Sequence, residues 1–138
     1  MKLHVASLTA AILLTASLSW AAEHTKDSFE VIKKNLAEKK AVLVDVREPR
    51  EWDRGHLKDA RLFPISKLNL VRTNEAAKKK LAEELPKDQI IYCHCARGAR
   101  ALLAGDFLAK LGYDVRPLAA GFDELRRAGF EAEKPKKN

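Results

Sequence analysis

The sequence predicts an α/β domain, with a mainly parallel central sheet and helices on both faces. Three observations predict it. Ala41–Asp45 and Gln89–Cys93 contain short, continuous apolar runs, the mark of strands buried on both faces. Other stretches place apolar residues at helical spacing. The two kinds of segment alternate along the chain, as they do where helices pack against parallel strands.

After a polar leader at Ala22–Lys26, Asp27-x-x-Glu30 reads as a capping box. Phe29, Ile32 and Leu36 then predict a helix from Ser28 to about Lys39. The strand Ala41–Asp45 follows. Pro49 opens a short helix to about Arg54, since proline suits a first helical turn, and Gly55 stops it. Arg61–Phe63 is a brief strand before Pro64. Asn74 caps a long helix to about Leu85, with Ala77, Leu81 and Leu85 on one face. Pro86-Lys87-Asp88 turns the chain into the strand Gln89–Cys93. The spacing of Leu103, Phe107 and Leu111 predicts a helix over Arg100–Leu111, ended by Gly112. Val115–Leu118 is a strand, Phe122–Ala128 a last short helix stopped by Gly129, and Glu131–Asn138 a mobile charged tail.

The 138 residues suffice for one domain, and the 46% apolar content supports a core and excludes general disorder. Residues 1–21 read as a secretory signal peptide: a basic start at Lys2, an apolar run from Val5 to Trp20, and small residues at Ser19 and Ala21 before the cut. The run is short for a membrane span and diluted with Ser and Thr. The expectation is a periplasmic or secreted protein that has no membrane attachment once the signal is removed. The net charge is +7. It suits anionic small substrates, and the bases are too dispersed to indicate nucleic acid.

The two cysteines, Cys93 and Cys95, lie two apart on or beside one strand. Such residues stand about 6.6 Å apart with parallel side chains, which disfavours a disulfide. A free thiol in an oxidising compartment points to reactivity. Cys95 ends a buried strand and precedes a Gly/Arg loop and a helix. In parallel sheets ligands gather at the carboxyl ends of strands. The loop Ala96, Arg97, Gly98, Ala99 and Arg100 can curl its N–H groups around the sulfur, with Gly98 permitting the tight backbone. Such a nest at a helix N-terminus binds anions and favours a thiolate. Cys95 therefore reads as a nucleophile, with Arg97 and Arg100 at the rim. Cys93 reads as a packed core thiol. His94, on the opposite face of the strand, reads as a core residue rather than a general base.

Three segments together resemble the rhodanese homology domain. Asp45-Val-Arg-Glu-Pro49 with Gly55-His-Leu57 is similar to the family's first signature. Tyr92-Cys-His-Cys-Ala-Arg-Gly-Ala-Arg100 is similar to its active-site loop. Leu118-Ala-Ala-Gly-Phe122 is similar to its closing segment, with Ala120 in place of one glycine of the usual pair and Leu125 in place of a tryptophan. The similarity runs over about residues 26–130. It implies the rhodanese-like three-layer fold and thiosulfate sulfurtransferase chemistry without metal or cofactor. Cys95 would carry a persulfide, and Ala96–Arg100 would cradle the donor. Asp45 and Arg47 would organise the site from behind or serve structure alone, and His56 would be a structural hydrogen-bonding residue. The implied partners are a small sulfane-sulfur donor and a cyanide or thiol acceptor. A protein sulfur acceptor also fits.

Two other chemistries compete. His94-Cys95-x-x-Gly98 begins like the signature of cysteine-dependent phosphatases and of related arsenate reductases. Those place an arginine six residues after the cysteine. Here Arg100 is fifth and the sixth residue is Ala101. The shorter loop suits a sulfur atom better than a phosphate. The second competitor is a thiol redox or sulfur-carrier role using Cys93 and Cys95 together, which the strand geometry disfavours.

Overall fold

The computed structural model describes residues 21–133. The signal-peptide reading of residues 1–21 therefore lies almost wholly outside the described residues. The elements run α1 (Phe29–Ala37), β1 (Ala41–Asp45), α2 (Pro49–Trp52), β2 (His56–Leu57), β3 (Ala60–Leu62), α3 (Ile65–Val71), α4 (Glu75–Glu84), β4 (Ile90–His94), α5 (Ala99–Lys110), β5 (Val115–Pro117), α6 (Phe122–Arg127) and β6 (Ala132–Glu133). Four strands form one parallel sheet in the order β3-β1-β4-β5. The expected mainly parallel α/β architecture is present.

Side-chain alternation divides the core in two. Val42 and Val44 of β1, with Ile91 and Cys93 of β4, face α3, α4 and α5 through Leu68, Leu81, Ala104 and Leu108. Ala41 and Leu43, with Tyr92, face α1 and α6 through Ile32 and Leu125. β1 and β4 are thus covered on both faces, which is why their sequences read as continuous apolar runs. Leu125 is fully buried, and Ala120 is 7% exposed. The two departures from the family pattern are accommodated inside this second core half.

Several elements differ from expectation for identifiable reasons. The cap of α1 is Ser28, whose Oγ accepts from the Val31 N–H at 3.3 Å. Asp27 instead accepts from the Tyr92 hydroxyl at 2.6 Å and pairs with Arg116 at 2.9 Å. These two hydrogen bonds hold its carboxyl below the usual value. Of Leu103, Phe107 and Leu111, whose spacing marks α5, Phe107 and Leu111 are partly buried against the first core half. Leu103 is 61% exposed, and the buried residues are Ala101, Ala104, Gly105 and Leu108. The reason is the close approach of α5 to β5: a Cβ on Gly105 would lie 2.3 Å from Pro117 Cγ. Only a residue without a side chain fits at that contact.

α3 carries no strong helical signal in the sequence, yet it buries Leu68 and Val71. The charged tail expected to be mobile from Glu131 begins otherwise: Ala132–Glu133 pair antiparallel with His56–Leu57. The polar leader is likewise packed. Thr25 N–H donates to the Pro117 carbonyl at 2.8 Å, which fastens the leader to the end of β5.

Candidate active site

Between β1 and β4 the strand order reverses: the chain leaves β1 for β3 on one side and returns to β4 on the other. Ligand sites in open parallel sheets form at such a point, beyond the carboxyl ends of the strands. Cys95 is the first residue after β4. Val46 is the first after β1, and its N–H donates to the His94 carbonyl at 2.9 Å.

The loop after Cys95 curls as its composition requires. Gly98 caps α5 at φ 91°, in the left-handed region that favours glycine. A side chain there would also collide with the Ala119 carbonyl and the His24 ring, each 2.9 Å from a Cβ. This backbone turn brings the Gly98 N–H to 3.1 Å from Cys95 Sγ. Among the described residues no side chain caps α5, which leaves the amides of its first turn available to a ligand or solvent. Cys95 is only 1% exposed and belongs to the same buried cluster as Val44, Val46 and Ala101. The sequence placed it outside the core. The loop folds back over the sulfur and encloses it.

The closing segment seals the loop from the far side. Phe122 N–H donates to the Cys95 carbonyl at 3.0 Å. Gly121 packs so tightly on Ala96 that a Cβ would fall 1.7 Å from the Ala96 carbonyl oxygen.

Of the expected cradle residues, Gly98 is the one whose N–H meets Cys95 Sγ, and the two arginines have different surroundings. Ala96, Arg97 and Ala99 are exposed, and Arg97 makes no hydrogen bond or ion pair among the described residues. Arg100 was expected to be a free rim cation. Instead its Nη1 and Nη2 donate to the two carboxylate oxygens of Glu51, at 2.6 and 2.8 Å. Glu51 escaped the sequence reading. The only local signal was the capping box it forms with Glu48 across the first turn of α2.

The bidentate pair has a pH signature. Glu51 is drawn down from 4.5 to about 2, chiefly by the Arg100 hydrogen bonds and against the opposing effect of burial. A depressed carboxylate contributes stability above its ordinary value, and that stability fades as pH falls through the folded value. Both side chains are about one-third exposed, so the energy at stake is small. An NMR titration of the Glu51 carboxyl should find it still ionised at about pH 3.5. A midpoint at the ordinary value would show that the pair does not hold.

Asp45 and Arg47 lie behind the loop as a buried ion pair. Arg47 Nε lies 3.0 Å from both Asp45 oxygens, and Nη2 donates to Oδ2 at 2.7 Å. Nη2 also donates to the Gly55 carbonyl at 2.9 Å. The guanidinium stands 4.4 Å over the Phe122 ring. Arg47 thus joins the end of β1, the Gly55 turn and the segment that seals Cys95. The side chains are 6% and 0% exposed. Arg47→Met is expected to leave the buried Asp45 carboxyl without its partner, destabilising the fold by about 3–5 kcal/mol in chemical denaturation. A loss below about 1 kcal/mol would refute the bracing role.

His94 is fully buried opposite Asp45 in the β1–β4 register. Its Nδ1 lies 3.3 Å from the Cys95 carbonyl, and its Nε2 has no hydrogen-bond partner among the described residues. Burial lowers its pKa and outweighs the nearby Asp45 charge. The ring is therefore a neutral core group. Cys93 is also fully buried, and burial pushes its thiol up. Both cysteines are free. His56 stacks on Trp52 and meets the Trp52 carbonyl and the Glu133 carboxylate at 3.2 and 3.0 Å.

One contact comes from the leader. His24 Nε2, in the tautomer protonated there, donates to the Gly98 carbonyl at 3.1 Å. A histidine 74 positions earlier thus holds the residue whose N–H reaches Cys95.

Comparison with known proteins fits this geometry. A sulfurtransferase from Allochromatium vinosum is 30% identical over 108 residues, covering 77% of this chain and 92% of that protein. The uncharacterized protein YqhL of Bacillus subtilis is 34% identical over 85 residues, 61% of this chain and 60% of that one. The matched segments span about three fifths of the length of two of the curated relatives. Among solved structures, the human single-domain sulfurtransferase TSTD1 superposes with a TM-score of 0.60 at 27% identity, covering 72% of this chain and 92% of that one. The profile of the rhodanese-like domain matches residues 28–128, a span holding β1, the Cys95 loop and the segment that seals it. The chain belongs to the rhodanese-like domain family.

Proposed function

We propose that this chain is a sulfurtransferase that carries sulfane sulfur on Cys95. The observation that carries the reading is the Gly98 N–H directed at Cys95 Sγ from 3.1 Å, at the N-terminus of α5. A donor hydrogen bond and the positive end of a helix dipole both favour a sulfur anion at that position. The same environment favours a terminal persulfide anion.

With thiosulfate as donor, the Cys95 thiolate attacks the outer, sulfane sulfur. A sulfur–sulfur bond forms to Cys95. The bond to the oxidised sulfur breaks, and its electron pair leaves with sulfite. An acceptor such as cyanide or a thiolate then attacks the terminal sulfur of the persulfide. Thiocyanate or a new persulfide departs, and the Cys95 thiolate returns. Asp45 and Arg47 take no part in these bonds. They hold the closing segment in place.

The charged start and the apolar run from Val5 to Trp20 support export through a cleaved signal peptide, and so a periplasmic or secreted site of action. N-terminal sequencing of the protein recovered from its native compartment tests this.

Incubation with thiosulfate and cyanide should yield thiocyanate. After thiosulfate alone, intact mass should rise by one sulfur atom, and peptide mapping should place that sulfur on Cys95 rather than Cys93. Absence of thiocyanate together with hydrolysis of a phosphate ester would overturn the proposal.

A further inference from the structure

We infer that Glu51 sets the charge of the donor this site accepts, favouring a monoanionic sulfane-sulfur compound over a dianionic one. The inference rests on the sulfurtransferase reading. It starts from the charge balance of the cradle. Arg100 closes the five-residue loop, and by sequence it doubles the positive charge facing Cys95. In the structure both of its outer nitrogens are spent on Glu51, at 2.6 and 2.8 Å. This is the planar, two-point geometry in which an arginine and a carboxylate neutralise each other most completely. Arg100 ends the five-residue loop that begins after Cys95, and the paired Glu51 carboxylate offsets its charge on that loop.

The remaining charges give no replacement. Arg47 is closed against Asp45. Arg97 is the one cradle cation without a carboxylate partner among the described residues. The first turn of α5 adds about half a positive charge. Against these stands the negative charge of the Cys95 thiolate itself. A donor carrying two negative charges must approach that thiolate with one arginine's help. A donor carrying one suffers about half the repulsion. The class so favoured comprises organic thiosulfonates and low-molecular-weight persulfides, in which an organic substituent replaces one charged oxygen or sulfur terminus.

Thiosulfate and methanethiosulfonate form a suitable pair of probes. They offer the same sulfane sulfur and a similar tetrahedral head, with two charges and one. The thiolate attack releases sulfite from the first and methanesulfinate from the second, each leaving with the electron pair of the broken sulfur–sulfur bond. The quantity to measure is the ratio of kcat/KM for thiosulfate to that for methanethiosulfonate, with cyanide as acceptor.

Glu51→Gln keeps an oxygen to accept from the Glu48 N–H and Arg100 but removes the charge. It should raise the ratio by about three- to tenfold, and the gain should shrink in high salt. Arg100→Gln leaves Glu51 unopposed and should lower the ratio by a similar factor. A purely structural disturbance would depress both donors together and leave the ratio unchanged. If the native protein turns over both donors and neither variant moves the ratio, Glu51 does not select charge, while the sulfurtransferase reading stands. If the native protein transfers sulfur from neither donor, that reading fails and this inference fails with it.

Discussion

Cys95→Ser is expected to abolish sulfur transfer, lowering thiocyanate production by at least about a thousandfold, while leaving the fold intact. The substitution changes one atom at a site where the backbone does the positioning. The Gly98 N–H, 3.1 Å from the sulfur, can donate to a hydroxyl oxygen equally well. The serine should therefore sit in the same enclosure, which is set by the Phe122 and Gly121 contacts to the loop. What is lost is chemistry: an alcohol stays protonated where a thiol ionises, and an oxygen–sulfur adduct cannot relay sulfane sulfur as a persulfide does. Circular dichroism and denaturation midpoints should match the native protein. Mass spectrometry should detect no added sulfur. Persulfide formation in this variant, on Cys93 or elsewhere, would remove Cys95 from the mechanism.

Gly121→Ala should have the second largest effect on turnover, and it acts through backbone alone. Gly121 has an ordinary negative φ of −90°, so the added methyl group meets no torsional penalty. It meets the Ala96 carbonyl oxygen, 1.7 Å from where the Cβ must lie, and the Ala96 carbonyl carbon at 2.4 Å. Neither atom belongs to a side chain that can swing aside. The loop that follows Cys95 must move, or the closing segment must. Overpacking of this kind costs about 1–3 kcal/mol and sometimes more. The functional loss should exceed the loss of stability, because displacing Ala96 shifts Gly98 relative to the sulfur. A fall in kcat/KM of about a hundredfold, with a smaller proportional effect on the denaturation midpoint, is expected. Full activity in the alanine variant would mean that the loop and the closing segment are not rigidly packed on each other.

The parts of the fold that were readable from sequence are those whose determinants are local. β1 and β4 declare themselves as continuous apolar runs because each strand is covered on both faces. The Cys95 loop declares itself because the cysteine, the glycine and the following helix are contiguous. α5 is legible from the spacing of Leu103, Phe107 and Leu111, but its most buried face is not. Hydropathy ranks Leu103 above Ala104 and Gly105, whereas the fold selects for close approach to Pro117. Two site contacts had no readable signal. Glu51 meets Arg100 across 49 positions and His24 meets Gly98 across 74. Long-range pairs of this sort are decided by how the sheet brings distant segments together, and a charge or an imidazole in sequence carries no address for its partner. β2 and β6 have two residues each, too few for any periodicity to register.

The leader contact has a consequence for how the chain is finished. If processing cuts after Ala21, His24 becomes the third residue of the mature chain, and Thr25, still held to Pro117, the fourth. A peptidase that trims three residues further removes the imidazole that holds the Gly98 carbonyl. The margin between a whole site and a frayed one is then a single short tripeptide. Heterogeneous N-terminal trimming would produce a mixture of molecules with the same fold and the same cysteine but unequal turnover, and batches of identical sequence would differ in specific activity.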